Sequence, residues 1–146
     1  MKSSFILVVI ITIFSFNDPL IAQARSIESK MSMPSVVLVS AVDIEEKVDG
    51  QPARVSTVEL NIQPKEESAP HRHPGPVFGY ILKGVYEFKV EGQPLRTLRT
   101  GDTFYEPLMA LHEVGRNPSD SITKVLAIVT HPRSAKKLVI PESAKD

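Results

Sequence analysis

The sequence predicts an all-β, single-domain antiparallel barrel, and three observations carry that prediction. Apolar and polar residues alternate in several short runs. Turn residues separate those runs at roughly 8–12-residue spacing. Twelve prolines suit loops and strand edges better than helix interiors.

Each element has a local reason. Val36 to Val39 is a short, mostly β-branched run. Val55 to Ile62 puts Val58, Leu60 and Ile62 on one face, and Thr57, Glu59 and Asn61 on the other. Phe78 to Leu82 is an apolar segment ended by Gly84. Val85 to Val90 alternates again, with Tyr86, Phe88 and Val90 on one side. Ile122 to Val129 is a longer apolar strand. Gly50, Pro64, Gly84, Gly92-Gln93-Pro94, Gly101-Asp102 and Asn117-Pro118 punctuate the runs. Residues 135–145 are expected to hold a short helix or strand.

Length and composition narrow the rest. A chain of 146 residues suits one domain, since domains typically take roughly 100–200. Lys+Arg and Asp+Glu are 17 each, which argues against a non-specific nucleic-acid binder or a polybasic membrane binder. The chain has no cysteine, so disulfides, thiolate metal sites and cysteine nucleophiles are excluded. Metal or acid–base chemistry must draw on four histidines and the carboxylates.

Residues 1–24 read as a secretory signal peptide. Lys2 supplies a short positive start, and residues 5–14 (FILVVIITIF) are apolar apart from Thr12. Ala22-Gln23-Ala24 gives a small-x-small cleavage pattern. The apolar run is about half the ~20 residues that a membrane span needs. Cleavage after Ala24 would send the protein to the periplasm or outside the cell, with no membrane attachment afterwards. Residues 25–34 read as a flexible leader, 35–140 as the domain, and 141–146 as a tail.

Three histidines fall where a metal site would want them. His71-Arg72-His73 is an H-x-H pair, and residues i and i+2 of a strand share a face. His112 lies two strand patterns further on, where a closed barrel brings it to the same interior. Neutral imidazole suits Zn, Cu, Fe and Ni. Three protein ligands leave coordination positions open for water, O₂ or substrate.

From His71 the chain reads HRHPGPVFGYILKG, and from Gly101 it reads GDTFYEPLMALHEVGRN. The two stretches resemble the paired motifs of the cupin superfamily, as found in small single-domain bacterial cupins. The first motif is roughly G-x5-H-x-H-x3–4-E-x6-G, matched here by His71, His73 and Gly84. The second is roughly G-x5-P-x-G-x2-H-x3-N, matched by Gly101, Pro107 and His112. The resemblance implies a cupin-type (RmlC-like) jelly roll, with the motif histidines and glutamate holding a divalent transition metal inside the barrel.

This sequence departs from the pattern at four places. Val77 stands where the glutamate is expected, and Val77 cannot ligate. Lys65 and Met109 stand at glycine positions. Arg116 stands at the asparagine position, with Asn117 one residue later. The expected ligands are therefore His71, His73 and His112. Fe(II) is the favoured ion, with Zn, Ni, Cu or Mn as alternatives. Glu87, Glu106 and Glu113 are expected to be solvated surface carboxylates, and His131 a surface loop histidine. Tyr80, Tyr86, Phe88, Phe104, Tyr105, Leu108 and Met109 are candidates for the barrel interior. Arg72, Arg96 and Arg99 are candidates to steer an anionic ligand.

Three functional classes follow. One is a metal-dependent enzyme, dioxygenase-like, acting on a small molecule. The second is a non-catalytic module binding a sugar or organic acid. The third is a metal-free isomerase or epimerase. The resemblance also implies a homodimer.

Overall fold

The computed structural model describes residues 34–142. The signal peptide and nearly all of the leader expected from the sequence lie outside the described residues, as does 143–146 of the tail.

Among the described residues ten strands follow in order: β1 Ser35–Val48, β2 Gln51–Ile62, β3 His71–Arg72, β4 Val77–Lys83, β5 Val85–Val90, β6 Arg96–Arg99, β7 Thr103–Glu106, β8 His112–Arg116, β9 Thr123–Pro132 and β10 Ile140–Pro141. They form two five-stranded sheets, ordered β1-β2-β9-β4-β7 and β10-β3-β8-β5-β6. Every pairing between them is antiparallel. This is the all-β jelly roll expected from the alternation. Among the described residues, the segment after 135 contributes the two-residue β10.

The hydrophobic core lies between the sheets. Val58 and Ile62 of β2, Val77 and Ile81 of β4, Phe88 and Val90 of β5, and Val125 and Val129 of β9 are all buried. Burial alternates strictly along β5 and β9, because period-two side chains present one face inward. Tyr86, Phe88 and Phe104 join the interior, with the Phe88 and Phe104 rings 4.5 Å apart. Tyr80, Tyr105, Leu108 and Met109 do not; they are exposed. Alternation decides it: in β4, Gly79 and Ile81 point inward, and in β7, Phe104 and Glu106 do.

Among the described residues β1 is an edge strand, and its Val36 to Val39 are each more than half exposed. Its hairpin to β2 turns through Asp49 and Gly50, both at positive φ (49° and 71°). That is the Asp-Gly signature of the turn whose twist matches the flanking strands.

The motif departures have a backbone explanation. Lys65 and Met109, which replace the pattern's glycines, hold left-handed φ of 63° and 58°. The backbone has kept the glycine conformation while the glycine has gone. Lys65 offsets part of the strain by donating from Nζ to the Pro118 carbonyl at 2.7 Å. The asparagine shift has a different cause. The β5–β8 ladder pairs Lys89 with Val114 and Val90 with His112, so it skips Glu113. This bulge absorbs one extra residue and moves the asparagine from 116 to 117. Asn117 is 1% exposed. Its amide donates to the carbonyls of Ile62, Gln63 and Ser121.

A left-handed non-glycine residue costs roughly 1–2 kcal/mol, whereas glycine loses about 0.5–1 kcal/mol of chain entropy. Met109→Gly is therefore expected to raise stability by about 0.5–1 kcal/mol, read as a higher Tm in thermal denaturation. Ala at the same position should give no comparable gain.

Candidate metal centre

The two sheets meet at one cluster. His71 of β3 and His112 of β8 are direct cross-strand partners in one sheet. His73 follows β3 immediately, ahead of Pro74. Glu106 closes β7 in the opposite sheet. All four line a cavity of about 80 Å³ between the sheets. The three histidines come together as the H-x-H spacing and the barrel closure predicted. Their inward nitrogens lie within 4.8 Å of one another.

Backbone carbonyls set the orientation of every ring. His71 Nδ1 lies 2.8 Å from the Ala69 carbonyl, His73 Nδ1 2.7 Å from that of Leu138, and His112 Nε2 2.8 Å from that of Val114. A carbonyl oxygen only accepts, so in each neutral ring the outer nitrogen carries the proton. The inward nitrogen, Nε2 of His71 and His73 and Nδ1 of His112, then presents a lone pair.

Burial keeps these rings neutral. It lowers the pKa of His71, lowers that of His73 to about 4 and lowers that of His112 to about 3; the neighbouring imidazoles reinforce the last two shifts. His71 Nε2 and His73 Nε2 stand 3.1 Å apart. With both outer nitrogens protonated, that contact is lone pair against lone pair. A cation between them turns repulsion into coordination.

Glu106 corrects the expectation of a solvated carboxylate. It is 2% exposed. Its Oε2 lies 3.5 Å from His73 Nε2 and 3.6 Å from His112 Nδ1. Among the described residues, neither Glu106 Oε2 nor His112 Nδ1 has a hydrogen-bond partner. Burial pushes the Glu106 carboxyl up to about 8. Orphaned buried polar atoms are rare in folded proteins, and here two of them face the same point. The donor set, three imidazole nitrogens and one carboxylate oxygen, fits a first-row divalent ion.

Glu87 and Glu113 are not freely solvated as expected; both are partly buried ion-pair partners, of Arg116 and Lys89, outside the cavity. Arg72 bonds Glu142, Glu91 and the Met109 carbonyl. None of Arg72, Arg96 and Arg99 lines the cavity, so steering by them has no support at this site. His131 is a second correction. It is 3% exposed, with Nε2 2.9 Å from Ser56 Oγ and Nδ1 2.8 Å from the Pro132 carbonyl. It lies outside the cavity lining and acts as a buried clasp between β2 and β9.

The residues after Leu138 also serve the site. Leu138 and Val139 line the cavity. β10 pairs with β3, placing Pro141 opposite His71. Arg72 bonds both carboxylate oxygens of Glu142. No motif marks this segment, because its contribution to His73 is a backbone carbonyl.

Comparison with known proteins agrees with this geometry. The family model described as a cupin domain matches residues 58–129. The chain belongs to the cupin superfamily. No curated protein sequence matches it.

Among solved structures, the cupin superposes on the DMSP lyase DddQ of Ruegeria pomeroyi DSS-3 with a TM-score of 0.54 at 19% identity, covering 77% of this chain and 53% of that one. It thus spans about half the lyase's length. A conserved protein with a double-stranded β-helix domain from Klebsiella pneumoniae gives 0.54 at 16% identity, covering 80% and 95%. An RmlC-like cupin family protein from Methanocaldococcus jannaschii gives 0.50 at 17%, covering 67% and 82%. At these identities the likeness is one of fold.

The buried rings set a pH dependence for the metal-free protein. In the unfolded chain a histidine takes a proton near pH 6.5; in the fold His73 and His112 resist until about 4 and 3. The unfolded state therefore binds more protons between those values, and stability falls as pH falls through that window. Glu106 opposes this. Its raised value favours the fold below the ordinary glutamate range and loses that contribution as pH rises towards 8. Three rings outweigh one carboxyl. With chelator present, Tm is expected to drop by roughly 5 °C or more from pH 7 to pH 5, and by less in His112→Phe.

Proposed function

We propose that this cupin is an exported metalloprotein that holds one divalent transition metal through His71, His73 and His112 and acts on a small, largely apolar organic molecule. One observation carries the reading: all three rings donate their outer N–H to backbone carbonyls, leaving three lone pairs converging in a buried space. An ion there would supply Lewis acidity, and Fe(II) in particular would add redox chemistry with O₂.

The protein's own residues do the remainder. The backbone carbonyls hold the rings in one tautomer. Tyr86, Phe104 and Val129 exclude bulk water from the cavity. Among the described residues, apart from the histidines, Glu106, Ser68 and the Tyr86 hydroxyl, its lining is apolar, with no lysine or arginine. Such a wall selects neutral apolar ligands. It offers a sugar too few hydrogen-bond partners, and an organic acid no counter-charge except the ion itself. The apolar wall equally suits a binding module without turnover. Turnover of a bound ligand by the metal-loaded protein separates the two.

Export rests on the residue 1–24 pattern. The homodimer attaches to β1, whose open edge and exposed Val36 to Val39 offer a second copy a self-complementary strand pairing.

Protein purified without a histidine tag is expected to carry close to one equivalent of metal by elemental analysis, and His73→Ala close to none. Equal, sub-stoichiometric metal in both would end the reading. In a thermal-shift screen of the loaded protein, small neutral aromatic or aliphatic molecules should raise Tm, and monosaccharides should not. Light scattering is expected to give twice the protomer mass, falling to one protomer mass in Val37→Lys.

A further inference from the structure

We propose that Glu106 is the fourth metal ligand of this site, delivered from β7 in place of the glutamate that the cupin pattern puts at position 77 of β4. The proposal rests on the reading that the three histidines hold an ion.

The register supplies the physical basis. Val77 and Glu106 are direct cross-strand partners. Partners in an antiparallel pair project to the same face, with Cβ atoms roughly 4.5–5.5 Å apart. Both residues are buried and both line the cavity. A carboxylate leaving position 77 and reappearing at 106 therefore stays on the same wall, one strand over, and still faces the histidines of the opposite sheet. Glutamate is long enough to cover the sideways step.

The distances agree. Ligands bound at ~2.1 Å stand about 3.0 Å apart when adjacent in an octahedron and about 3.4 Å in a tetrahedron. Glu106 Oε2 lies 3.5 Å from His73 Nε2 and 3.6 Å from His112 Nδ1, while His71 Nε2 and His73 Nε2 are 3.1 Å apart. Among the described residues Oε2 has no hydrogen-bond partner. A buried carboxyl oxygen without a hydrogen bond among the described residues, at ligand spacing from two imidazole lone pairs, is placed to meet a cation.

The chemical consequence is specific to this chain. Three neutral imidazoles alone would leave the ion's full double charge in the cavity. Glu106 cancels half of it and makes the site hospitable to harder ions such as Mn²⁺.

Calorimetric titration with Mn²⁺ of the metal-stripped protein tests this in four forms: wild type, Glu106→Gln, His73→Ala, and the double variant Val77→Glu with Glu106→Ala. Circular dichroism confirms that each is folded. Glu106→Gln, nearly isosteric, is expected to weaken Mn²⁺ binding at least about 10-fold. The double variant is expected to recover most of that loss, because it returns the carboxylate to β4. Wild-type affinity in Glu106→Gln, with binding abolished in His73→Ala, would overturn the proposal and leave the histidine site standing. A weakened Glu106→Gln without recovery in a folded double variant would also overturn it, since relocation on one wall predicts rescue. Wild type that binds no Mn²⁺, and no Fe²⁺ or Zn²⁺ in parallel titrations, would overturn the histidine reading and this proposal with it.

Discussion

The lone-pair contact between His71 and His73 constrains everything around it. Two neutral imidazoles 3.1 Å apart, each with its proton turned outward, do not attract each other. The arrangement stands because the surrounding backbone enforces it. Ala69, Leu138 and Val114 supply the carbonyls, and these belong to three separate parts of the chain. The loop after β2, the segment before β10 and the body of β8 must all be in place before the rings converge. Metal affinity in such a site is prepared by folding, since the ring orientations are already set.

That constraint explains why the local backbone tolerates strain. Met109 keeps a left-handed φ of 58° without being glycine. Its carbonyl accepts from Arg72, and its amide donates to the His73 carbonyl at 3.1 Å. The strained residue thus ties the loop before His112 to the loop carrying His73. Gly75 has the complementary role. A Cβ there would sit 1.8 Å from the Thr130 carbonyl oxygen, so the Pro74–Pro76 bend passes against β9 only because residue 75 has no side chain. The H-x-H segment is held from both sides.

Most of the fold was legible in the sequence because period-two alternation is a local signal. Tyr86, Phe88 and Val90 could be assigned to the interior from six consecutive residues. The histidine triplet was legible for the same reason: H-x-H needs only strand geometry, and the motif order supplied His112. Glu106 was not. Its strand reads Thr-Phe-Tyr-Glu, and adjacent aromatics at 104 and 105 leave the phase of alternation undetermined. Only the pairing of β7 with β4, which puts Gly79 opposite Phe104, selects Phe104 and Glu106 as inward. A second cue lay unused in Gly79, where a Cβ would meet the Phe104 ring at 2.0 Å. His131 was misjudged because the residue before a proline resembles a strand end, whereas β9 runs through Pro132. The Leu138 carbonyl carries no side-chain signature at all.

Val77 now reads differently from a simple loss. A valine at a ligand position would be expected to accompany decay of the site, with the histidines drifting towards ordinary core residues and the cavity filling. Neither has happened. The rings keep their outward hydrogen bonds, and the cavity remains open between the sheets. A buried carboxyl stands on the neighbouring strand, with one oxygen that has no hydrogen bond among the described residues to offset its desolvation. An apolar residue at 106 would pack against Phe104 and Val77 without that cost. An expensive group placed beside three aligned lone pairs argues for a function that needs negative charge at that wall. Val77 then serves as the small apolar neighbour that leaves room for it.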